Sequence, residues 1–220
     1  MILPGRRAVV QGLFHLLYTR FAWTYDRVSR VVSLGHWQSW GRASLPFVAG
    51  PRVLELGHGP GHLLATMSHR DWQPVGIDIS PQMGRLARQE LEKLGHPARL
   101  VRGRGQSLPF ETGSFDIVIA AFPAPYIVEP ETVEAIRRVL RPGGRLVVVP
   151  EAELTGSHPV IRALEWLFAI TGQRSKAGGP HHSPIESFWS ELLGGHGFSV
   201  TVHDISLSGS RVIVVVAERQ

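Results

Sequence analysis

The sequence predicts an α/β protein with a doubly wound, mostly parallel seven-stranded sheet whose last strand runs antiparallel, preceded by a helical N-terminal segment. Three observations carry this. Short apolar runs alternate with helical stretches from Gly50-Pro51 onward. One of them, Phe115 to Ala121, is almost continuously apolar, as a strand is when helices cover both faces of a sheet. The last two runs are joined by a link too short for a helical crossover, so they must pair antiparallel.

Before the sheet, Val9, Val10, Leu13, Phe14, Leu16, Leu17 and Phe21 recur at spacings of three and four, the period of an amphipathic helix. A second stretch from Tyr25 to Leu34 is broken by Gly35, and Trp37 and Trp40 begin a third. Val53-Leu54-Glu55-Leu56 reads as the first strand, followed by a glycine-rich turn and a helix from His62 to His69. Pro74 to Asp78 is the second strand. Ser80 and Pro81 then supply an N-cap and a first-turn proline for a helix reaching Leu94, with Gly95 as its stop. Ala98 to Arg102 and Phe115 to Ala121 are the third and fourth strands. A helix from Glu131 to Leu140 ends in the Pro142-Gly143-Gly144 turn before a fifth strand, Arg145 to Val149. Between residues 151 and 183 lies an insertion with one apolar helix, His158 to Ile170. Ser199 to His203 and Ser210 to Ala217 complete the sheet. Residues 1–49 form the helical leading segment and 50–220 the main domain.

The chain's 220 residues suit one sizeable core. It has no cysteine, which excludes disulfides, thiolate nucleophiles and cysteine-bound zinc. No cluster has metal-ligand spacing, and no metal is expected. The net charge is +5, but the arginines are dispersed and many neighbour acids, so the surface reads as solvated, without the basic stripe of a nucleic-acid binder. The Met1 to Tyr18 stretch has a basic start but lacks a cleavage site and is too short to span a bilayer. The chain is expected in the cytoplasm, with Arg6-Arg7 able to touch a membrane surface.

The chemically informative stretch is Val53-Leu54-Glu55-Leu56-Gly57-His58-Gly59-Pro60-Gly61-His62, a strand ending in close glycines before a helix. Such a turn brings backbone up to a ligand at the carboxyl end of a sheet, and Asp78, about twenty residues on, stands where a carboxylate meets a ribose diol. A dinucleotide fingerprint needs Gly-x-Gly-x-x-Gly, whereas here the third glycine falls one residue early. Glu55 would sit badly beside a pyrophosphate but suits the ammonium of a methionine moiety. Glu55 pairing with Arg52 or Arg145 is the structural alternative.

This stretch resembles motif I of the class I S-adenosylmethionine-dependent methyltransferases, a Rossmann-like fold. Gly76 to Ser80 with Met83 resembles the ribose motif that follows it. Leu108-Pro109-Phe110 with Ser114 to Val118, and Arg138 to Leu146, resemble the type 11, UbiE-like branch. The resemblance implies that S-adenosylmethionine is bound and S-adenosylhomocysteine released. Glu55 and the backbone of Gly57, His58, Gly59 and Gly61 would hold the methionine end. Asp78 would hold the ribose, Ile79 and Met83 the adenine faces, and Gly105, Gln106 and Ser107 the adenine edge, with Ala121 and Phe122 beside the sulfonium. Where relatives carry an acid that accepts from the adenine amino group, this chain has Arg104, which cannot accept; the task then falls to backbone or Gln106.

The region Tyr25 to Trp37 resembles the N-terminal lid of quinone-biosynthesis and lipid methyltransferases. With the apolar helix of the insertion, it implies a small lipophilic acceptor: a quinol, phenol or lipid. Tyr25, His181 and His182 are the candidates for a base that removes an acceptor proton. The alternatives are an RNA or protein methyltransferase, or a protein that binds the cofactor without catalysis.

Overall fold

The computed structural model describes residues 33–70, 72–155 and 182–220. The Val9 to Phe21 helix, Tyr25, the His158 to Ile170 helix and His181 lie outside these residues.

A short helix, α1 (Trp37–Arg42), and a 3-10 turn at Leu45–Phe47 lead into β1 (Arg52–Leu56). There follow α2 (His62–Ser68), β2 (Gln73–Asp78), α3 (Pro81–Lys93), β3 (Leu100–Arg102) and β4 (Phe115–Ala121). A 3-10 turn at Pro125–Val128, α4 (Pro130–Val139), β5 (Leu140–Leu154), α5 (His182–Gly194), β6 (Phe198–Leu207) and β7 (Ser210–Arg219) complete the chain. The strands form one seven-stranded sheet in the order β3-β2-β1-β4-β5-β7-β6. Neighbours are parallel from β3 to β5, and only β7 runs against the rest. The expected doubly wound sheet with an antiparallel last strand is what the chain forms.

Alternation along each strand sorts side chains to two cores. On one face Val53, Ile117, Ile119, Val147 and Val214 pack with Trp40 of α1, Leu63, Leu64 and Met67 of α2 and Leu91 of α3. On the other, Leu54, Ile77, Val118, Ala120, Leu146 and Val215 pack with Val133 and Ile136 of α4 and Trp189 and Leu193 of α5. Each such fully buried Val, Leu or Ile contributes roughly 1.5–3 kcal/mol relative to exposure. The Ser80 hydroxyl caps α3, accepting from the Met83 N–H at 3.3 Å, with Pro81 in the first turn, as its sequence predicts.

Several elements differ from the sequence-based expectation: β5 begins at Leu140 and so takes in the expected Pro142-Gly143-Gly144 turn, and β6 runs on to Leu207. Strand β3 starts at Leu100, two residues late. Strand β5 continues past Val149 to Leu154, because the edge of β7 extends far enough to pair with it down to Ser210. Helix α5 is an additional element, in which Ile185, Trp189 and Leu192 keep helical spacing; its Trp189 and Leu193 are buried. Among the described residues, no helix is long and apolar enough to cross a membrane.

Candidate active site

At the carboxyl end of the sheet, an open cleft lies between the glycine turn after β1, the N-terminus of α2, the end of β4 and α1. Glu55, Gly57, His58 and Gly59 line one end; Trp37, Gly41, Ala121 and Phe122 line the other. Of the residues singled out from sequence, Glu55, Gly57, His58, Gly59, Ala121 and Phe122 thus share one cavity.

The glycine turn is held by β2. Gly57 N–H donates to the Ile77 carbonyl at 2.8 Å. Asp78 Oδ2 accepts from Gly59 N–H at 3.0 Å, and Oδ1 from Ser80 N–H at 2.8 Å. Asp78 therefore ties the turn after β1 to the start of α3, and each oxygen retains a second lone pair. Gly61 is the N-cap of α2 at φ 87, and a Cβ there would stand 2.8 Å from the Ala87 Cβ. Only glycine allows both that backbone and the close approach of α2 to α3.

Glu55 is 4% exposed, and among the described residues no arginine is paired with it. Arg52 is held instead by Asp116, and Arg145 by Glu218. Burial, reinforced by the charge of Asp78, pushes the Glu55 carboxyl from 4.5 up to about 8, partly offset by a hydrogen bond from the Leu64 backbone. Its Oε2 is buried without a hydrogen-bond partner. A solitary carboxyl buried in a cleft is costly unless a cation completes it, so the site fits a ligand with an ammonium group.

Ile79 is 54% exposed beside the turn, whereas Met83 is wholly buried and belongs to the core. Gly105 is buried because Tyr126 packs on it: a Cβ at Gly105 would stand 2.9 Å from Tyr126 Cε2, and one at Gly57 2.9 Å from the Tyr126 hydroxyl. Tyr126 thus bridges the loops after β1 and β3. Gln106 Nε2 donates to Glu129 Oε2 at 2.6 Å, which leaves its Oε1 as an acceptor. Ser107 is exposed, in a bridge with Arg104. His182 is the first residue of α5.

Phe122 reaches the cleft in an unusual conformation. It holds φ 50, uncommon for a bulky residue, and its ring stacks on Trp37 with centroids 4.4 Å apart. Trp40 lies 6.1 Å from the same ring and donates its indole N–H to Ser210 Oγ. Trp37 and Tyr126 are the site-forming residues that sequence reasoning misses. In sequence Trp37 reads as the end of the lid-like region and the start of a helix, with nothing to pair its ring with Phe122, and Tyr126 stands in a Phe122-Pro123-Ala124-Pro125-Tyr126 stretch with nothing to say where its ring points.

The family described as methyltransferase domain matches residues 53–144, the stretch from β1 to the turn within β5. The demethylmenaquinone methyltransferase of Lactiplantibacillus plantarum is 30% identical over 169 residues, 72% of this chain and 69% of that one. The ubiquinone/menaquinone biosynthesis C-methyltransferase UbiE of Shewanella sediminis is 28% identical over 171 residues, 74% of this chain and 66% of that one. This chain therefore spans about two thirds of the length of these relatives. In fold, it superimposes on the geranyl diphosphate C-methyltransferase of Streptomyces coelicolor, solved with S-adenosyl-L-homocysteine, with a TM-score of 0.56 at 12% identity, covering 83% of this chain and 79% of that one. Motif order, sheet topology and sequence identity agree: the chain belongs to the class I S-adenosylmethionine-dependent methyltransferases, in their UbiE-like branch.

Proposed function

We propose that this protein transfers the methyl group of S-adenosylmethionine to a small lipophilic acceptor of the quinol or phenol class. One observation carries the reading: a single cleft joins the buried, unpaired carboxyl of Glu55 to an aromatic wall of Trp37 and Phe122. The first suits the amino-acid end of the donor, and the second suits a flat, apolar ring. The relatives named for demethylmenaquinone and ubiquinone biosynthesis support the same class.

The bound cofactor supplies an electrophilic methyl group, and the protein aligns it and excludes water. Glu55 pairs with the ammonium, the turn Gly57 to Gly61 offers backbone to the methionine tail, and Asp78 uses its remaining lone pairs on the ribose diol. Ile79 presents an apolar surface to adenine. Gln106 Oε1 accepts from the adenine amino group in place of the acid that Arg104 replaces. Ala121 and Phe122 border the sulfonium, with Phe122 held in place by its stack on Trp37. The acceptor lies on Trp37 under the leading helical segment, residues 1–49, which acts as a lid and of which α1 is the described end. A base from Tyr25, His181 or His182 removes the acceptor proton where the chemistry needs one.

Part of the positive charge among the described residues is taken up by neighbouring acids. Arg52 and Arg141 are held by Asp116, Arg145 by Glu218, and Arg211 by Asp204. The test is turnover with methyl-labelled S-adenosylmethionine against reduced quinols, simple phenols, phospholipids and RNA. Label in the quinol or phenol fraction supports the reading; label only in phospholipid or RNA, or in none, overturns it.

A further inference from the structure

The His58 imidazole is unaccounted for by a loop whose backbone alone matters. The residue is 3% exposed, yet it lines the cleft. Its Nδ1 lies 2.7 Å from the Gly59 carbonyl oxygen. A carbonyl only accepts, so Nδ1 carries the proton and Nε2 presents a bare lone pair. That Nε2 is buried with no hydrogen-bond partner. The only other buried, unpartnered polar side-chain atom among the described residues lining the cleft is Glu55 Oε2.

The two groups are neighbours. Glu55 on β1 is in register with Gly76 on β2. A Cβ on Gly76 would stand 2.8 Å from His58 Cδ2 and 2.6 Å from Leu64 Cδ1. The imidazole therefore occupies the space that a side chain at 76 would fill, next to the Glu55 carboxyl on the same face of the sheet. Burial lowers the ring's affinity for a proton, against the opposing pull of Asp78, and so keeps the lone pair available.

We propose that the His58 imidazole is a cofactor-binding group whose Nε2 accepts a hydrogen bond from the α-ammonium of the methionine moiety, beside the Glu55 carboxylate. An ammonium carries three donors, and these two atoms offer two acceptors of different charge at one end of the cleft. The assignment rests on the cofactor placement proposed above, and makes the site selective for a nucleoside that keeps its amino-acid tail.

The test is calorimetric titration of the wild type, His58→Phe and His58→Asn with two probes: S-adenosylhomocysteine, and 5′-methylthioadenosine, which lacks the amino acid. His58→Phe fills the space without an acceptor and should weaken S-adenosylhomocysteine by about ten- to a hundredfold. It should leave methylthioadenosine within about twofold, and His58→Asn should recover part of the loss. Equal weakening of both probes, or of neither, overturns the proposal. If His58→Phe does not fold, His58→Leu carries the same comparison. A wild type that binds methylthioadenosine but shows no preference for S-adenosylhomocysteine overturns the ammonium site as a whole; one that binds neither overturns the cofactor placement itself.

Discussion

Gly59 and Asp78 are joined by a 3.0 Å hydrogen bond from the glycine N–H to Oδ2, which locks the turn after β1 to the end of β2. The shape of the turn thus depends on one carboxylate, the same one proposed to hold the ribose. Asp78→Ala removes two hydrogen bonds to backbone N–H groups as well as the acceptors for the sugar. It should weaken S-adenosylhomocysteine by about a hundredfold and lower folding stability by about 1–2 kcal/mol, read by calorimetry and denaturant unfolding.

Glu55 makes stability depend on pH in the direction opposite to an ordinary paired acid. Its carboxyl is held at about 8, against 4.5 when unfolded. Between those values the folded protein keeps a proton that the unfolded chain has lost, so stability falls as pH rises from about 4.5 to about 8 and levels off above. Glu55→Gln removes that penalty. Without cofactor, the variant should be more stable than the wild type at pH 8.5 by a few kcal/mol, since each pH unit between the two values costs the wild type about 1.4 kcal/mol, and equal to it below pH 4.5. The same variant should lose most of its affinity for S-adenosylhomocysteine.

Binding should also expel that proton. An arriving ammonium favours the ionised carboxylate, so at pH 7 about one proton should leave per ligand bound. Titrations in buffers of different ionisation heat read this number directly, and Glu55→Gln should bring it close to zero.

Much of this is legible in the residues. The glycine turn, Glu55 and Asp78 are local signals, since turn chemistry and strand ends are written in adjacent residues, and the fold brings them together at one end of the sheet. Long-range packing is not written that way. The stack of Trp37 on Phe122 joins residues far apart in the chain, and α1 before β1 does not announce which ring it will cover. Likewise Tyr126 reaches Gly57 and Gly105 only because β1, β2 and β3 lie side by side. Met83, matched by motif to an adenine face, is turned into the core by the helix that Ser80 caps. Helix α5 escapes notice in the sequence because a Gly-, Pro- and His-rich tract precedes it and hides its start.

Asp116 is an acid at the opposite end of the sheet. It accepts from the Arg52 backbone N–H at 3.0 Å, from Arg52 Nη2 at 2.9 Å and from Arg141 Nε at 2.6 Å. Burial pushes its carboxyl up, but the hydrogen bonds from Arg52 and Arg141 outweigh this and hold it at about 2. Its contribution is present above the unfolded value of 3.8 and is lost as pH falls through about 2. Asp116→Asn should cost about 2 kcal/mol near neutral pH while leaving cofactor affinity within about twofold, since β4 separates it from the cleft.

Trp37 tests the acceptor end. Trp37→Ala removes the ring stacked on Phe122 without touching the glycine turn. Affinity for S-adenosylhomocysteine should hold within about twofold, while the KM for a quinol acceptor rises by about tenfold, the scale of an aromatic contact together with its buried area. Steady-state kinetics at saturating cofactor separates the two effects.

The most direct measurement is a crystal structure of the chain with S-adenosylhomocysteine. The nucleoside should cross the ends of β1 and β2, with its amino-acid nitrogen within hydrogen-bond reach of Glu55, its ribose hydroxyls on Asp78 and its sulfur facing Ala121 and Phe122. A nucleoside bound away from the glycine turn, or one whose ribose leaves Asp78 untouched, would contradict the placement on which the proposed chemistry depends.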